Sequence, residues 1–105
     1  MYTVIETATF VQYAEKVWNA EDRAEFITWI ASYPEQGDVI PHTQGLRKVR
    51  WARQGTGKQG GSRVIYFNRL SNGEIWLLIV YSKAKFDNLP LSVLQQLREE
   101  LNNGR

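Results

Sequence analysis

The spacing of apolar residues changes several times along the chain, and each spacing predicts a different element. Tyr2 to Ile5 reads as a short first strand. Phe10, Tyr13, Ala14, Val17 and Trp18 then recur at i, i+3, i+4, i+7 and i+8, one apolar face of a helix with Thr7 or Thr9 as its N-cap. Asn19 is placed to cap a second helix. Glu21 and Asp22 stand in its first turn, where the helix dipole favours acids, and Phe26, Ile27, Ile30 and Ala31 form its inner face. Pro34 and Gly37 end it, and a polar loop follows from Glu35 to Gly45.

Beyond that loop the period becomes that of strands. Leu46–Ala52 alternates: Leu46, Lys48, Arg50 and Ala52 point one way, and Arg47, Val49, Trp51 and Arg53 the other. Arg63–Leu70 is rich in β-branched and aromatic residues. Ile75 to Tyr81 is apolar at every position, as a strand covered on both faces must be. Asn72-Gly73 predicts a hairpin joining these last two strands. Leu89-Pro90 opens a final helix with Leu91, Leu94, Leu97 and Leu101 along one stripe. The order β-α-α-β-β-β-α predicts an α+β fold, with an N-terminal helical hairpin packed on a mainly antiparallel sheet and a C-terminal helix. With 105 residues, the expectation is a single domain over 1–105.

Composition narrows the chemistry. The apolar fraction of 43% is that of a folded protein, and with no cysteine there are neither disulfides nor thiolate metal sites. No leader pattern opens the chain and no apolar run is long enough to span a bilayer, so the expectation is a cytoplasmic protein without a membrane partner. Net charge is only +2, but its distribution is uneven. The first 38 residues hold seven acids against Lys16 and Arg23, whereas between Asp38 and Glu74 there is no acid. That interval contains Arg47, Lys48, Arg50, Arg53, Lys58, Arg63 and Arg69. Such asymmetry fits a surface for a polyanion, and equally a solvated basic hairpin.

Gly55-Thr-Gly-Lys-Gln-Gly60 satisfies G-x-G-x-x-G. A dinucleotide turn needs a helix after the glycines to aim its amides at a pyrophosphate. Here strand-like sequence stands on both sides, and Gln59 occupies the position where a phosphate loop needs Ser or Thr. The segment reads as a hairpin loop with Lys58 near its tip, and no cofactor is expected.

Conventional catalytic sets are missing. His42 is the sole histidine, beside Pro41 in the polar loop; Glu35 and Asp38 are not placed as a paired-carboxylate site; Ser62 and Ser82 lack an evident base. No metal is expected. What remains is Lys, Arg and Tyr, a set suited to cleaving RNA through attack of its own 2′-hydroxyl on the adjacent phosphate. Arg and Lys stabilise the phosphorane charge, a lysine crowded by other cations serves as a base, and aromatic rings hold a splayed nucleobase.

An ordered series of short segments points the same way. Gly37-Asp-Val-Ile-Pro41, Gly45-Leu-Arg-Lys-Val-Arg50, Gly57-Lys58, Gly60-Gly61-Ser-Arg63-Val-Ile-Tyr66 and Tyr81-Ser-Lys83 resemble the RelE/HigB superfamily of bacterial toxins, most of all its HigB branch. The resemblance implies the toxin of a type II toxin–antitoxin system. Such a toxin is a ribosome-dependent mRNA endonuclease (an mRNA interferase) that cuts translated mRNA in the A site of the 70S ribosome without metal and inhibits translation. Its implied partners are the ribosome, mRNA and a cognate helix-turn-helix antitoxin. Carried onto this chain, the implied catalytic groups are Lys48 or Lys83 as proton carrier and Arg63 as phosphate stabiliser, with Tyr81 or Lys85 as a substitute acid because Ala84 stands where relatives often have arginine. Arg47, Arg50, Arg53, Lys58, Tyr66 and Lys85 are the candidate RNA or ribosome contacts. The chain also has His42 and Gln44 where relatives often have glycine. Two other readings use the same scaffold: a ParE-like toxin that binds a DNA topoisomerase, and an RNA-binding regulatory domain without chemistry.

Overall fold

The structure is a computed structural model that describes residues 1–52, 61–85 and 88–103. Its elements are β1 (Thr3–Glu6), α1 (Ala8–Val17), α2 (Ala20–Ser32), β2 (Asp38–Val39), β3 (Arg47–Trp51), β4 (Ser62–Arg69), β5 (Glu74–Ser82) and α3 (Leu91–Glu100). The sheet runs β1-β5-β4-β3-β2; β1 lies parallel to β5 and every other pair is antiparallel. This is the α+β arrangement that the periodicity predicts, with one strand more. β2 pairs through only two residues, Asp38 with Lys48 and Val39 with Arg47. A strand so short leaves no alternation to read, and it lies inside the stretch expected to be loop.

Both predicted caps are present. The Thr7 hydroxyl accepts from the Phe10 amide and donates to the Leu77 carbonyl, so it ties the start of α1 to β5 as well as capping it. Asn19 accepts from the Asp22 amide at 2.7 Å. Thr9 instead donates to the Glu100 carboxylate on α3. Pro90 takes the N-cap position of α3, so that helix begins one residue later, at Leu91. Between β4 and β5 the predicted hairpin turns through a 3₁₀ turn, Leu70–Asn72, closed by Gly73 at φ 71°. No helix among the described residues is long and apolar enough to cross a membrane.

Two cores lie on opposite faces of the sheet. On one, α1 and α2 pack Phe10, Ala14, Phe26 and Ile30 onto Val49, Trp51, Val64 and Tyr66. Trp18, Phe26 and Trp51 meet there with centroid separations of 5.1–5.5 Å, Trp51 edge-on to both others. On the other face, α3 packs Leu94 and Leu97 onto Ile65, Trp76, Leu78 and Ile79. Leu101 continues that buried stripe, but Leu91 is 44% exposed, outside the stripe on which its spacing placed it. Arg98 secures α3 further, stacking on the Phe67 ring at 4.7 Å while its Nε donates to the Gln44 carbonyl.

An irregularity in β5 decides what faces what. The ladder pairs Ile65 with Ile79 but Tyr66 with Leu77, so Leu78 is an extra residue in β5. Trp76 and Leu78 face α3, yet so do Ile79 and Tyr81, while Ile75, Leu77 and Val80 face the helical hairpin. A one-residue bulge of this kind flips every later side chain to the opposite face. Without it, Tyr81 would face α1 and α2. With it, Tyr81 joins the face that carries Ile65 and α3.

Candidate functional site

On β3, Lys48 and Arg50 lie on the sheet face opposite Val49 and Trp51, whose rings and methyl groups are fixed in the α1–α2 core. Arg50 is directly opposite Arg63 on β4, and Arg63 is directly opposite Tyr81 on β5. Ser62, one residue before Arg63, is held from the other side of the sheet: the Trp18 indole donates to its hydroxyl at 3.0 Å. Gly61 makes the approach to β4 possible. It adopts φ 57°, and a Cβ there would stand 2.6 Å from the Trp51 carbonyl oxygen. The position of Arg63 is thus set by a glycine turn, a buried indole contact and two strand ladders.

Lys48, Arg50, Arg63 and Lys83 meet in a cleft of about 500 Å³, with Trp29, Gln36, Asp38, Val49 and Asn88 as further walls among the described residues. Among the described residues, four cations line it with one carboxylate, Asp38, which is cross-strand partner to Lys48. β2 covers only Arg47 and Lys48, so the ladder gives Arg50 no partner on that side. Like charges directly opposite each other destabilise a sheet unless something of opposite sign offsets them. The Arg50–Arg63 pair sets two guanidinium side chains on neighbouring strands of one sheet face.

Arg63 lines the cleft while being only 5% exposed. β3 and β5 pair with β4 on either side of it. The Lys48 ammonium donates to the Asn88 side-chain oxygen at 2.9 Å, linking β3 to the segment before α3.

The other candidates fall elsewhere. Tyr66 is fully buried on the helical-hairpin side. Its hydroxyl donates to the Pro34 carbonyl at 2.7 Å and accepts from the Gly37 amide at 2.9 Å. A ring so enclosed offers no face to a nucleobase, so the stacking role expected of Tyr66 gives way to a structural one. Burial pushes its phenol above the usual 10.0; the Gly37 amide and Arg47 oppose that rise, and Asp38 and Glu35 reinforce it. Gly37 is a close-approach glycine, since a Cβ would lie 2.8 Å from the Tyr66 ring. Arg47 also belongs to this buckle, donating to the Gly37 carbonyl at 2.7 Å, on the face away from Lys48. Together Tyr66 and Arg47 hold the turn that delivers Gln36 and Asp38 to the cleft. Lys85 is exposed in the turn after β5 and is not among the cleft's walls. Arg53 and Lys58, and the glycine-rich loop expected to contact the ribosome, lie outside the described residues.

Tyr81, 2% exposed, lines a second cavity of about 340 Å³ that shares Lys48 and Asn88 with the cleft. His42 lines that second cavity too, from a loop with unusual backbone. His42 and Gln44 adopt φ 66° and 57°. For residues with a Cβ this left-handed region costs roughly 1–2 kcal/mol. It also explains why glycine suits these two positions. Buried Thr43 holds the loop in place, donating to the Ile40 carbonyl at 2.6 Å and accepting from the Leu46 amide.

Asp38, Trp29, Gln36 and Asn88 are cleft residues that sequence reasoning did not assign. Asp38 had a signal, as the last acid before the acid-free span. Asn88 had none, because its place depends on how α3 docks. Among the described residues no three His, Cys, Asp or Glu side chains gather as a metal ion would require.

No family model matches the chain. Solved structures do match its fold. A doubly substituted Escherichia coli toxin RelE in the free state superposes with TM-score 0.59 at 11% identity, over 82% of this chain and 87% of that one. A chain of the toxin–antitoxin complex RelBE2 from Mycobacterium tuberculosis gives 0.63 at 19% identity, over 77% and 96%. A chain of the intact E. coli RelBE toxin–antitoxin complex gives 0.59 at 12% identity, over 78% and 96%. The chain has the RelE-like fold.

Proposed function

We propose that this RelE-like chain is the toxin of a type II toxin–antitoxin pair, of the HigB branch, and that it cleaves mRNA on the ribosome by in-line attack of the RNA 2′-hydroxyl. The observation that carries the reading is the meeting of Lys48, Arg50, Arg63 and Lys83 in one cleft, with Arg50 and Arg63 directly opposed. Structural likeness to RelE and to chains of RelBE complexes supports the antitoxin partner; the ordered sequence series supports the HigB branch and the cytoplasmic setting.

The cleft accounts for the chemistry as follows. The scissile phosphate lies between Arg50 and Arg63, whose fixed guanidinium forks match phosphate oxygens and neutralise the charge that grows as the 2′-oxygen bonds to phosphorus. Lys48 and Lys83 flank it and carry the two protons, one taken from the 2′-hydroxyl and one given to the departing 5′-oxygen. The products are a 2′,3′-cyclic phosphate and a 5′-hydroxyl. Nothing in this scheme calls on a metal.

The test is cleavage of end-labelled mRNA on programmed ribosomes by the purified protein, with the fragment ends identified. The reading expects a cyclic phosphate upstream and a 5′-hydroxyl downstream, with Arg63→Ala slowed by about 10²–10³, the usual cost of removing one charge contact to a transition state. A folded Arg63→Ala protein cutting at the wild-type rate removes Arg63 from the chemistry. Ends bearing a 5′-phosphate exclude 2′-hydroxyl attack.

A further inference from the structure

We propose that Asp38 reads the sugar of the RNA, its carboxylate accepting a hydrogen bond from the 2′-hydroxyl of a nucleotide next to the one being cut; the inference rests on the ribonuclease reading above. Asp38 is exposed and lines the cleft with Lys48, Arg50, Arg63 and Lys83. Lys48, its cross-strand partner, gives its ammonium to Asn88 at 2.9 Å. Among the described residues the Asp38 carboxylate enters no hydrogen bond and no ion pair. On a surface for a polyanion, such an acid weakens binding by like-charge repulsion. A ligand offsets that cost when it brings a hydrogen-bond donor. The phosphate and ester oxygens of a nucleic-acid backbone only accept, whereas the ribose 2′-hydroxyl also donates. A carboxylate in this place therefore favours RNA and penalises a strand that lacks the hydroxyl, the repulsive half of specificity.

The fold fixes the backbone that carries this carboxylate. Gly37, the residue before it, is tied at both backbone groups: its amide donates to the Tyr66 hydroxyl at 2.9 Å and its carbonyl accepts from Arg47 at 2.7 Å. Asp38 and Val39 then pair with β3. A group held in this way has little freedom left to lose on binding. Its place in the sheet decides which ribose it meets. Asp38 stands one strand beyond Lys48, and Lys48 is two residues along β3 from Arg50. With strands about 4.8 Å apart and a rise of about 3.4 Å per residue, the Asp38 backbone lies about 10 Å from a phosphate held between Arg50 and Arg63. An attacking 2′-oxygen must stand about 3–3.5 Å from its phosphorus, and an aspartate side chain is too short to close that gap. The hydroxyl that Asp38 reads thus belongs to a neighbouring nucleotide, and the attacking hydroxyl is left to the lysines.

The test uses programmed ribosomes carrying one mRNA in several forms: all ribose, 2′-deoxy at the nucleotide that supplies the attack, and 2′-deoxy at the nucleotide before or after it. Each is cut by wild type, Asp38→Ala and Asp38→Asn. Because Asp38 is exposed, neither variant should lower the melting temperature, and Asp38→Asn carries the test should Asp38→Ala fail to fold. Wild type is expected to cut one of the two flanking deoxy messages about tenfold more slowly, the scale of one hydrogen bond to a charged group. Asp38→Ala is expected to lose about as much on the all-ribose message and nothing further on that deoxy message, since both changes remove the same bond. Asp38→Asn, which keeps an acceptor oxygen without the charge, should fall between them. If wild type cuts both flanking deoxy messages at the all-ribose rate, or if the losses from variant and deoxy message multiply, the role of Asp38 is overturned and the ribonuclease reading stands. If wild type cuts no message, or still cuts the one deoxy at the attacking nucleotide, both fall together.

Discussion

At the scale of single residues, the side chains most constrained by the fold are those with the most specific placements. Tyr66 shows how a residue that suits an RNA site on chemical grounds is used inside the protein instead. Its hydroxyl satisfies a buried amide and shares the Pro34 carbonyl with the Asn68 side chain. Tyr66→Phe leaves the Gly37 amide without that acceptor, and such a loss costs about 1–3 kcal/mol. The expected outcome is a lower melting temperature with the overall fold retained. The pH dependence follows from the direction of its shift. Burial raises the phenol's pKa, so the folded state favours the neutral form. The stabilisation is complete below the unfolded value near 10.0 and is lost as pH rises above it through the folded value. Melting curves across the alkaline range should show wild type losing stability more steeply than Tyr66→Phe. Equal slopes for the two proteins would contradict this account of Tyr66. The sequence could not reveal its burial, because β4 is covered on both faces and its alternation therefore carries little contrast.

At the scale of elements, the helices, their caps and the three long strands were legible because each repeats its pattern over enough residues to be distinctive. Two features were not. β2 is too short to have a period, although it supplies the cleft with the Asp38 carboxylate. The bulge at Leu78 falls in a run where every residue is apolar, so shifting the phase leaves the pattern unchanged. The period of β3 was enough to place Lys48 and Arg50 on one face. Their meeting with Arg63 and Lys83 depends on strand order and on that bulge, which no local pattern encodes. The start of β4 offers a direct check. Gly61→Ala must place a Cβ against the Trp51 carbonyl and hold φ 57°, which costs more than about 1 kcal/mol. Denaturant unfolding should show that loss and, on the proposed reading, cleavage should slow because Arg63 is two residues away. Wild-type stability in Gly61→Ala would mean that Gly61 is not constrained as described.

At the scale of the whole molecule, charge is sorted more strongly than the net +2 suggests. On the proposed reading, the cationic cleft attracts RNA phosphates over a long range, and salt weakens that attraction. Association with ribosomes should therefore weaken as salt rises. Replacing exposed Arg50 or Lys83 by Gln should each reduce the slope of log affinity against log salt by about one. An unchanged slope in both variants would mean that neither reaches a phosphate. The same small size bears on catalysis. Lysine and arginine groups provide charge and proton transfer, but the in-line geometry of the RNA must also be imposed, and alignment of that kind contributes at most about 7–11 kcal/mol. On the proposed reading, the ribosome imposes it. The most direct measurement is therefore the cleavage rate of one mRNA, free and bound to programmed ribosomes, at equal protein concentration. Fast cutting of the ribosome-bound message and very slow cutting of the free one is the predicted result. Comparable rates on both would contradict the account, because the cleft would then be a complete ribonuclease site without the ribosome.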